Sequence, residues 1–247
     1  MWGKGKTHLI QRIGSKTTDI KHFIDLLPMD VKTVVEAFGG SFAVIRDVYY
    51  EDKYKKYVND TDESLYYIYT HPDKLIEAYH IWNKIDDKYD NAKDKKEAVH
   101  KSKMDEHLKD YIINSMIVRG VITHKKNVEN FEKDIELIKK IKFSNEDAFE
   151  FLKKFIYKKD TFIFLDPPYL FSNNESYGTQ KQNEDNTDYY HRLLDIFNDK
   201  KVKAKIMLVI NDLKILRIMF DKFIKRDYER TYQIGKKKMK HLVICNY

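Results

Sequence analysis

Four apolar residues, Phe162-Ile163-Phe164-Leu165, run without a break into Asp166-Pro167-Pro168-Tyr169. A short apolar run rich in aromatic and branched side chains, ended by prolines, reads as a buried strand. Such a strand delivers an acid, two prolines and a tyrosine to the carboxyl end of a sheet. In open α/β sheets that edge is where ligands bind. The tetrapeptide joins a hydrogen-bond acceptor, a stiffened backbone and a flat ring, a set suited to holding a planar base that bears an amino group. The plainer reading is a strand closed by a proline turn, with Asp166 as turn initiator and Tyr169 as a surface ring.

The rest of the chain gives that strand a setting. With 247 residues there is room for one large core, or for a domain carrying an insertion. A 42% hydrophobic content excludes a disordered chain, and only 8 glycines and 4 prolines argue against a turn-rich all-β protein. No apolar stretch reaches the length of a membrane span, so no membrane association is expected. The single cysteine, Cys245, cannot form an internal disulfide, and no Cys/His cluster has zinc-ligand spacing. An intracellular, reducing setting without a bound metal is expected. Lys and Arg outnumber Asp and Glu by 46 to 39, a mixed surface whose basic excess suits a polyanionic partner.

Ser15 is placed to cap a helix whose apolar residues Ile20, Phe23, Ile24 and Leu27 fall at helical spacing, with Pro28 as its stop. Thr33-Val34-Val35 reads as a first strand running into Glu36-Ala37-Phe38-Gly39-Gly40-Ser41, with a helix after it. Tyr54 to Val58 is a second strand ending at Asn59-Asp60. From about Thr61 to Ile141 the chain is charged and rich in helix formers, with the apolar stripe Leu75, Ala78, Tyr79 and Trp82, and no strand is convincing there. The α/β pattern resumes with Ile141-Lys142-Phe143, a helix beginning near Asp147, the strand Phe162 to Leu165, a helix over 187–197 and a strand over 205–210. Two final strands, 226–233 and 240–247, make a hairpin joined by Gly235 and a lysine run. The polar stretch 172–188 has the composition of a mobile loop beside a site. The fold class expected is thus α/β, with residues 1–60 and 141–247 forming a mostly parallel Rossmann-like sheet that ends in an antiparallel hairpin. Residues 61–140 form a helical insertion.

Taken in order, these pieces resemble a DNA adenine-N6 methyltransferase of the Dam-like class. Ile13-Gly14-Ser15-Lys16 resembles the family's N-terminal Gly-x-Lys element, and Val35 to Ser41 its glycine-rich cofactor loop. Asn59-Asp60 resembles the acidic end of the second strand, Asn145-Glu146-Asp147 the third cofactor contact, and Asp166 to Tyr169 the catalytic turn. Val209 to Asp212 and Leu242 to Tyr247 resemble the final strands. The chain departs from the pattern in carrying Ala37 where proline is usual, and Ser41-Phe42 where a further glycine is often found. Tyr111 to Gly120 resembles the DNA-contacting segment only faintly, and the recognition strip of enzymes that modify GATC is absent.

The resemblance implies S-adenosylmethionine as cofactor and double-stranded DNA as partner. It implies Lys16, Glu36, Phe38, Gly39, Gly40, Asp60, Asp147 and Asp166 as cofactor-binding residues, with Lys16 on the methionyl carboxylate, Asp60 on the ribose hydroxyls and Asp147 on the adenine amine. Asp166 and the Pro167 carbonyl would draw the target amine out of planarity, Pro167 and Pro168 would stiffen the turn, and Tyr169 would stack on a base flipped out of the duplex. Each has a bland counterpart: Asp60 and Asp147 as helix caps, Lys16 as a solvated charge. Arg119, Lys125 and Lys126 in the insertion are candidate DNA contacts, or a solvated basic loop. RNA or a single strand as substrate, and a non-catalytic partner subunit, are the competing readings. Gly3 to Thr7 resembles the tail of a phosphate-binding loop, but lacks the upstream glycine and strand.

Overall fold

The computed structural model describes residues 8–11, 14–118, 121–122, 131–170, 187–231 and 238–247. Arg119, Lys125, Lys126, residues 172–186 of the polar loop, and the hairpin tip with Gly235 lie outside the described residues. Strands β1 (Thr33–Glu36) and β2 (Lys55–Asn59) flank the short helix α1 (Ala43–Asp47). Helices α2 (Glu63–Thr70), α3 (Pro72–Lys88), α4 (Ala92–Lys101) and α5 (Glu106–Met116) follow. Next come a small hairpin of β3 (Ile117–Val118) and β4 (Val121–Ile122), and helix α6 (Glu132–Ile138). The α/β alternation then returns with β5 (Ile141–Ser144), α7 (Ala148–Lys153), β6 (Thr161–Leu165), α8 (Thr187–Asn198), β7 (Lys205–Asn211) and α9 (Lys214–Met219). The chain closes with β8 (Ile224–Thr231) and β9 (Lys238–Cys245).

Seven strands form one sheet in the order β5-β2-β1-β6-β7-β9-β8. The first five run parallel, and β9 is antiparallel to both β7 and β8, which gives the expected Rossmann-like sheet with its terminal hairpin. Strand order reverses between β1 and β6, so the switch point where such sheets bind ligands lies between Glu36 and Asp166. Every residue of β6 is buried. Alternation along β7 shows how both faces are covered. Ile206, Leu208 and Ile210 join Phe149, Leu193 and Phe197 on one face. Met207 and Val209 join the N-terminal segment, α1 and the inserted helices on the other.

Two expectations are corrected. Residues 16–26 form three successive 3-10 turns, Lys16–Thr18, Ile20–His22 and Ile24–Leu26, in place of one α-helix. A tertiary donor claims a carbonyl that an α-helix would offer to the Leu26 amide: Arg226 donates to His22 O at 2.9 Å. Ser15 still caps the first turn through its hydroxyl. The stretch expected to lack strands contains the β3–β4 hairpin, whose strands of two residues each are too short to show a periodic pattern.

Candidate functional site

The tetrapeptide after β6 is held from three directions. Lys16 Nζ lies 2.6 Å from each oxygen of the Asp166 carboxylate. The Tyr190 hydroxyl of α8 donates to the Pro168 carbonyl at 3.0 Å. The Tyr169 hydroxyl meets His241 Nε2 of β9 at 3.0 Å. Burial pushes the Asp166 carboxyl above its ordinary pKa, and Lys16 opposes that shift by favouring the carboxylate. A carboxylate offers about four lone-pair sites, and the ammonium engages two of them. Asp166 therefore keeps the capacity to accept from an amine while Lys16 stays in place.

Beside it, the glycine turn is shaped by atoms beneath it. A Cβ at Gly39 would come within 2.4 Å of Val58 Cγ1 and 3.1 Å of Asn59 O, so no other residue fits. Gly40 sits at φ +52 with open space where a Cβ would be. Its amide donates to Asp60 Oδ2 at 2.8 Å, and its carbonyl accepts from the Tyr69 hydroxyl of α2 at 2.6 Å. Where the family often has a further glycine, Phe42 itself adopts the left-handed conformation at φ +38. Such strain costs about 1–3 kcal/mol. The ring is held edge-on against Tyr69 and Phe143, at 5.7 and 5.9 Å, and its burial offsets that cost.

Glu36 is buried beneath the turn, where Oε1 accepts from the Ile45 amide at 2.6 Å and burial raises its pKa to about 8. Asp60 Oδ1 accepts from the Asp62 amide at 3.0 Å. Asp147 caps α7, with Oδ1 accepting from Phe149 N and Glu150 N, both at 3.0 Å. Phe38 and Phe149 flank the Tyr189 ring at 5.7 and 4.7 Å, and burial raises the Tyr189 pKa, with the negative charges of Asp147 and Asp60 adding to it. The sequence-derived residues outside the inserted helices therefore converge on one edge of the sheet, with Lys16 on Asp166, and with Asp60 and Asp147 each already holding backbone amides.

Three contributors were not singled out from the sequence. Asn59, wholly buried, donates from Nδ2 to Ala37 O and Glu146 O, and its Oδ1 accepts from Ser144 Oγ and Glu146 N. One amide thus ties the ends of β1, β2 and β5 together. Tyr69 fixes the glycine turn from the insertion side, and His241 holds Tyr169. A buried asparagine at a strand end is a readable signal. Roles set by contacts dozens of residues away are not.

The residues suit S-adenosylmethionine. The open space at Gly40, where a side chain would stand, lets a ligand approach the turn closely, the Asp60 carboxylate can still accept from a ribose diol, and the Phe38–Tyr189 pair offers ring surface for a base. Among the described residues no group of three or more His, Cys, Asp or Glu is placed to hold a metal ion, and no helix is long and apolar enough to cross a membrane.

A model of the D12 class N6 adenine-specific DNA methyltransferase family matches residues 13–119 and 119–236. The type II methyltransferase M.CviBI of Paramecium bursaria Chlorella virus NC1A is 25% identical over 283 residues, spanning 97% of this chain and 99% of the relative. Two solved structures are more distant. The Pyrococcus horikoshii protein PH1948, provisionally described as an RNA methyltransferase, shares 9% identity at a TM-score of 0.44, covering 98% of this chain and 89% of its own. Human methyltransferase 10 domain containing protein shares 9% at 0.42, covering 96% and 84%.

Proposed function

The chain belongs to the D12 class N6 adenine-specific DNA methyltransferase family, and from that premise we propose that it transfers a methyl group from S-adenosylmethionine to the N6 amine of an adenine flipped out of duplex DNA. The observation that carries this reading is the Asp166-Pro167-Pro168-Tyr169 turn at the sheet's switch point, with Lys16 bonded to both Asp166 oxygens. S-adenosylmethionine, when bound, supplies an electrophilic methyl group on a sulfonium.

The chain's own residues do the rest. Adenine N6 is a weak nucleophile because its lone pair is delocalised into the ring. Asp166 and the Pro167 carbonyl accept its two hydrogens and turn the lone pair outward. The prolines lack N–H donors that would compete for those acceptors. Lys16 keeps Asp166 ionised before reaction. Burial, which raises the carboxyl's affinity for a proton, equips Asp166 to take the proton that the alkylated nitrogen sheds. Tyr169 stacks on the extruded base, a contact worth about 1–3 kcal/mol. Alignment is the main catalytic gain. Gly40, Asp60, Phe38 and Asp147 hold the cofactor, while Gly39 and Glu36 shape the turn. Residues 61–140 serve target recognition, with Arg119, Lys125 and Lys126 as the candidate DNA contacts that make methylation site-specific.

Tritium transfer from labelled cofactor to duplex DNA, single-stranded DNA and RNA tests the substrate. Duplex DNA is expected to be labelled, and label on RNA alone would overturn the reading. Asp166→Ala is expected to abolish transfer while the folded protein still binds cofactor by calorimetry. Undiminished turnover by that variant would remove Asp166 from its role.

A further inference from the structure

We propose that His241 is the positioning residue for Tyr169, setting the plane in which the target base is stacked. This rests on the reading of Tyr169 as the stacking surface. The prolines before Tyr169 constrain its backbone but leave its side-chain torsions free, so something else must fix the ring. His241 Nε2 meets the hydroxyl at 3.0 Å, with the two ring centroids 5.8 Å apart and the planes 57° from parallel. His241 cannot itself swing aside. It is fully buried, and Tyr228, directly opposite it in the β8–β9 ladder, stacks on its ring at 5.2 Å and 17°. His22 covers the Tyr228 ring at 4.6 Å and 10°, and the Tyr228 hydroxyl is anchored on Asp19 at 3.2 Å, beside Arg230 at 2.8 Å. A three-ring stack, its middle ring anchored on a buried carboxylate, thus stands behind one tyrosine hydroxyl. Burial lowers the His241 pKa to about 4, with the neighbouring Lys16 charge adding to the effect. The imidazole is then neutral near pH 7, and its Nε2 can accept the tyrosine proton. Holding the ring in place before DNA arrives spares part of the ordering cost that binding would otherwise carry.

The test uses the full chain and a duplex bearing the site mapped from its own methylation, with 2-aminopurine at the target position. His241→Phe keeps a ring for the stack and removes the acceptor. It is expected to raise KM for DNA about five- to tenfold, the scale of one lost hydrogen bond, and to lower the 2-aminopurine signal, with cofactor KM unchanged. His241→Gln retains an acceptor and recovers most of the loss. Tyr169→Phe removes the same bond from the other side and reproduces the defect even if His241→Phe folds poorly. In that background His241→Phe adds nothing further. Effects that multiply in the double variant, or a Gln variant no better than Phe, overturn the proposal. If Tyr169→Ala leaves the DNA step untouched, the stacking reading itself fails, whatever His241 does.

Discussion

Lys16 faces a carboxyl that burial favours in its protonated form. In the proposed mechanism the ionised Asp166 is both the stronger amine acceptor and the base for the shed proton, so the residue that opposes burial would also set the pH range of activity. Removing the ammonium removes the influence that lowers the Asp166 pKa, which then rises further, and the acidic limb of the pH–rate profile moves to higher pH. For Lys16→Met we expect a loss of about ten- to a hundredfold at neutral pH, the scale of a charge-assisted hydrogen bond, with partial recovery as pH is raised. Profiles of kcat at saturating cofactor would show it. A constant drop with no displacement of the limb would make Lys16 a cofactor ligand only. At this scale the sequence was most legible where chemistry and backbone demand coincide, as at Asp166, Gly40 and Asp60. The bond from Lys16 to Asp166 was not legible, because nothing in its neighbours announces a partner 150 positions away. His241 carried no signal for the same reason, since a histidine within a buried strand reads as core.

Among elements, the strands were readable because their burial is patterned locally. β6 is apolar throughout, and β7 alternates between two apolar faces. The N-terminal segment misled because its apolar spacing is helical while its backbone serves other partners. Residues Arg226, Tyr228 and Arg230 alternate along one face of β8 and bind the 3-10 turns through His22 O, Asp25 and Asp19. That face therefore clamps the segment that carries Lys16. Asp19 is nearly wholly buried at 1% exposure, and Arg230 is its charged partner at 2.8 Å. Arg230→Met would leave a buried carboxylate with the Tyr228 hydroxyl but no compensating cation. Breaking a buried pair in this way costs about 3–5 kcal/mol. The expected result in urea unfolding is a loss near the lower figure, since Arg230 keeps some solvent contact, together with a raised KM for cofactor as the Lys16 segment loosens. Unchanged stability would show that the clamp rests on Arg226 and the ring stack instead.

The whole molecule was legible as an α/β sheet with an inserted helical segment. How tightly the two are joined was not, because helix–sheet packing leaves no periodic mark. One apolar cluster runs from Val34, Val58, Phe162 and Val209 of the sheet, through Leu65, Ile68 and Tyr69 of α2, to Trp82, Val99, Tyr111 and Ile112 of the inserted helices. Tyr69 also reaches from the insertion to the Gly40 carbonyl, so the glycine turn proposed to hold the cofactor is built partly by the segment proposed to read DNA. A shared core predicts shared unfolding, since the inserted helices cannot leave without exposing the sheet's face. Trp82 tests this from the far end. It is fully buried in α3, with the Lys95 ammonium 5.8 Å from its ring and the Lys95–Asp86 ion pair buried alongside. Trp82→Ala is expected to cost about 3–5 kcal/mol, lowering Tm by roughly 6–20 °C for a chain of this size. Calorimetry should still record one endotherm, with far-ultraviolet and aromatic signals melting together. A second, earlier transition that alone shifts in Trp82→Ala would mean that the insertion folds on its own, and that Tyr69 joins two units and not one.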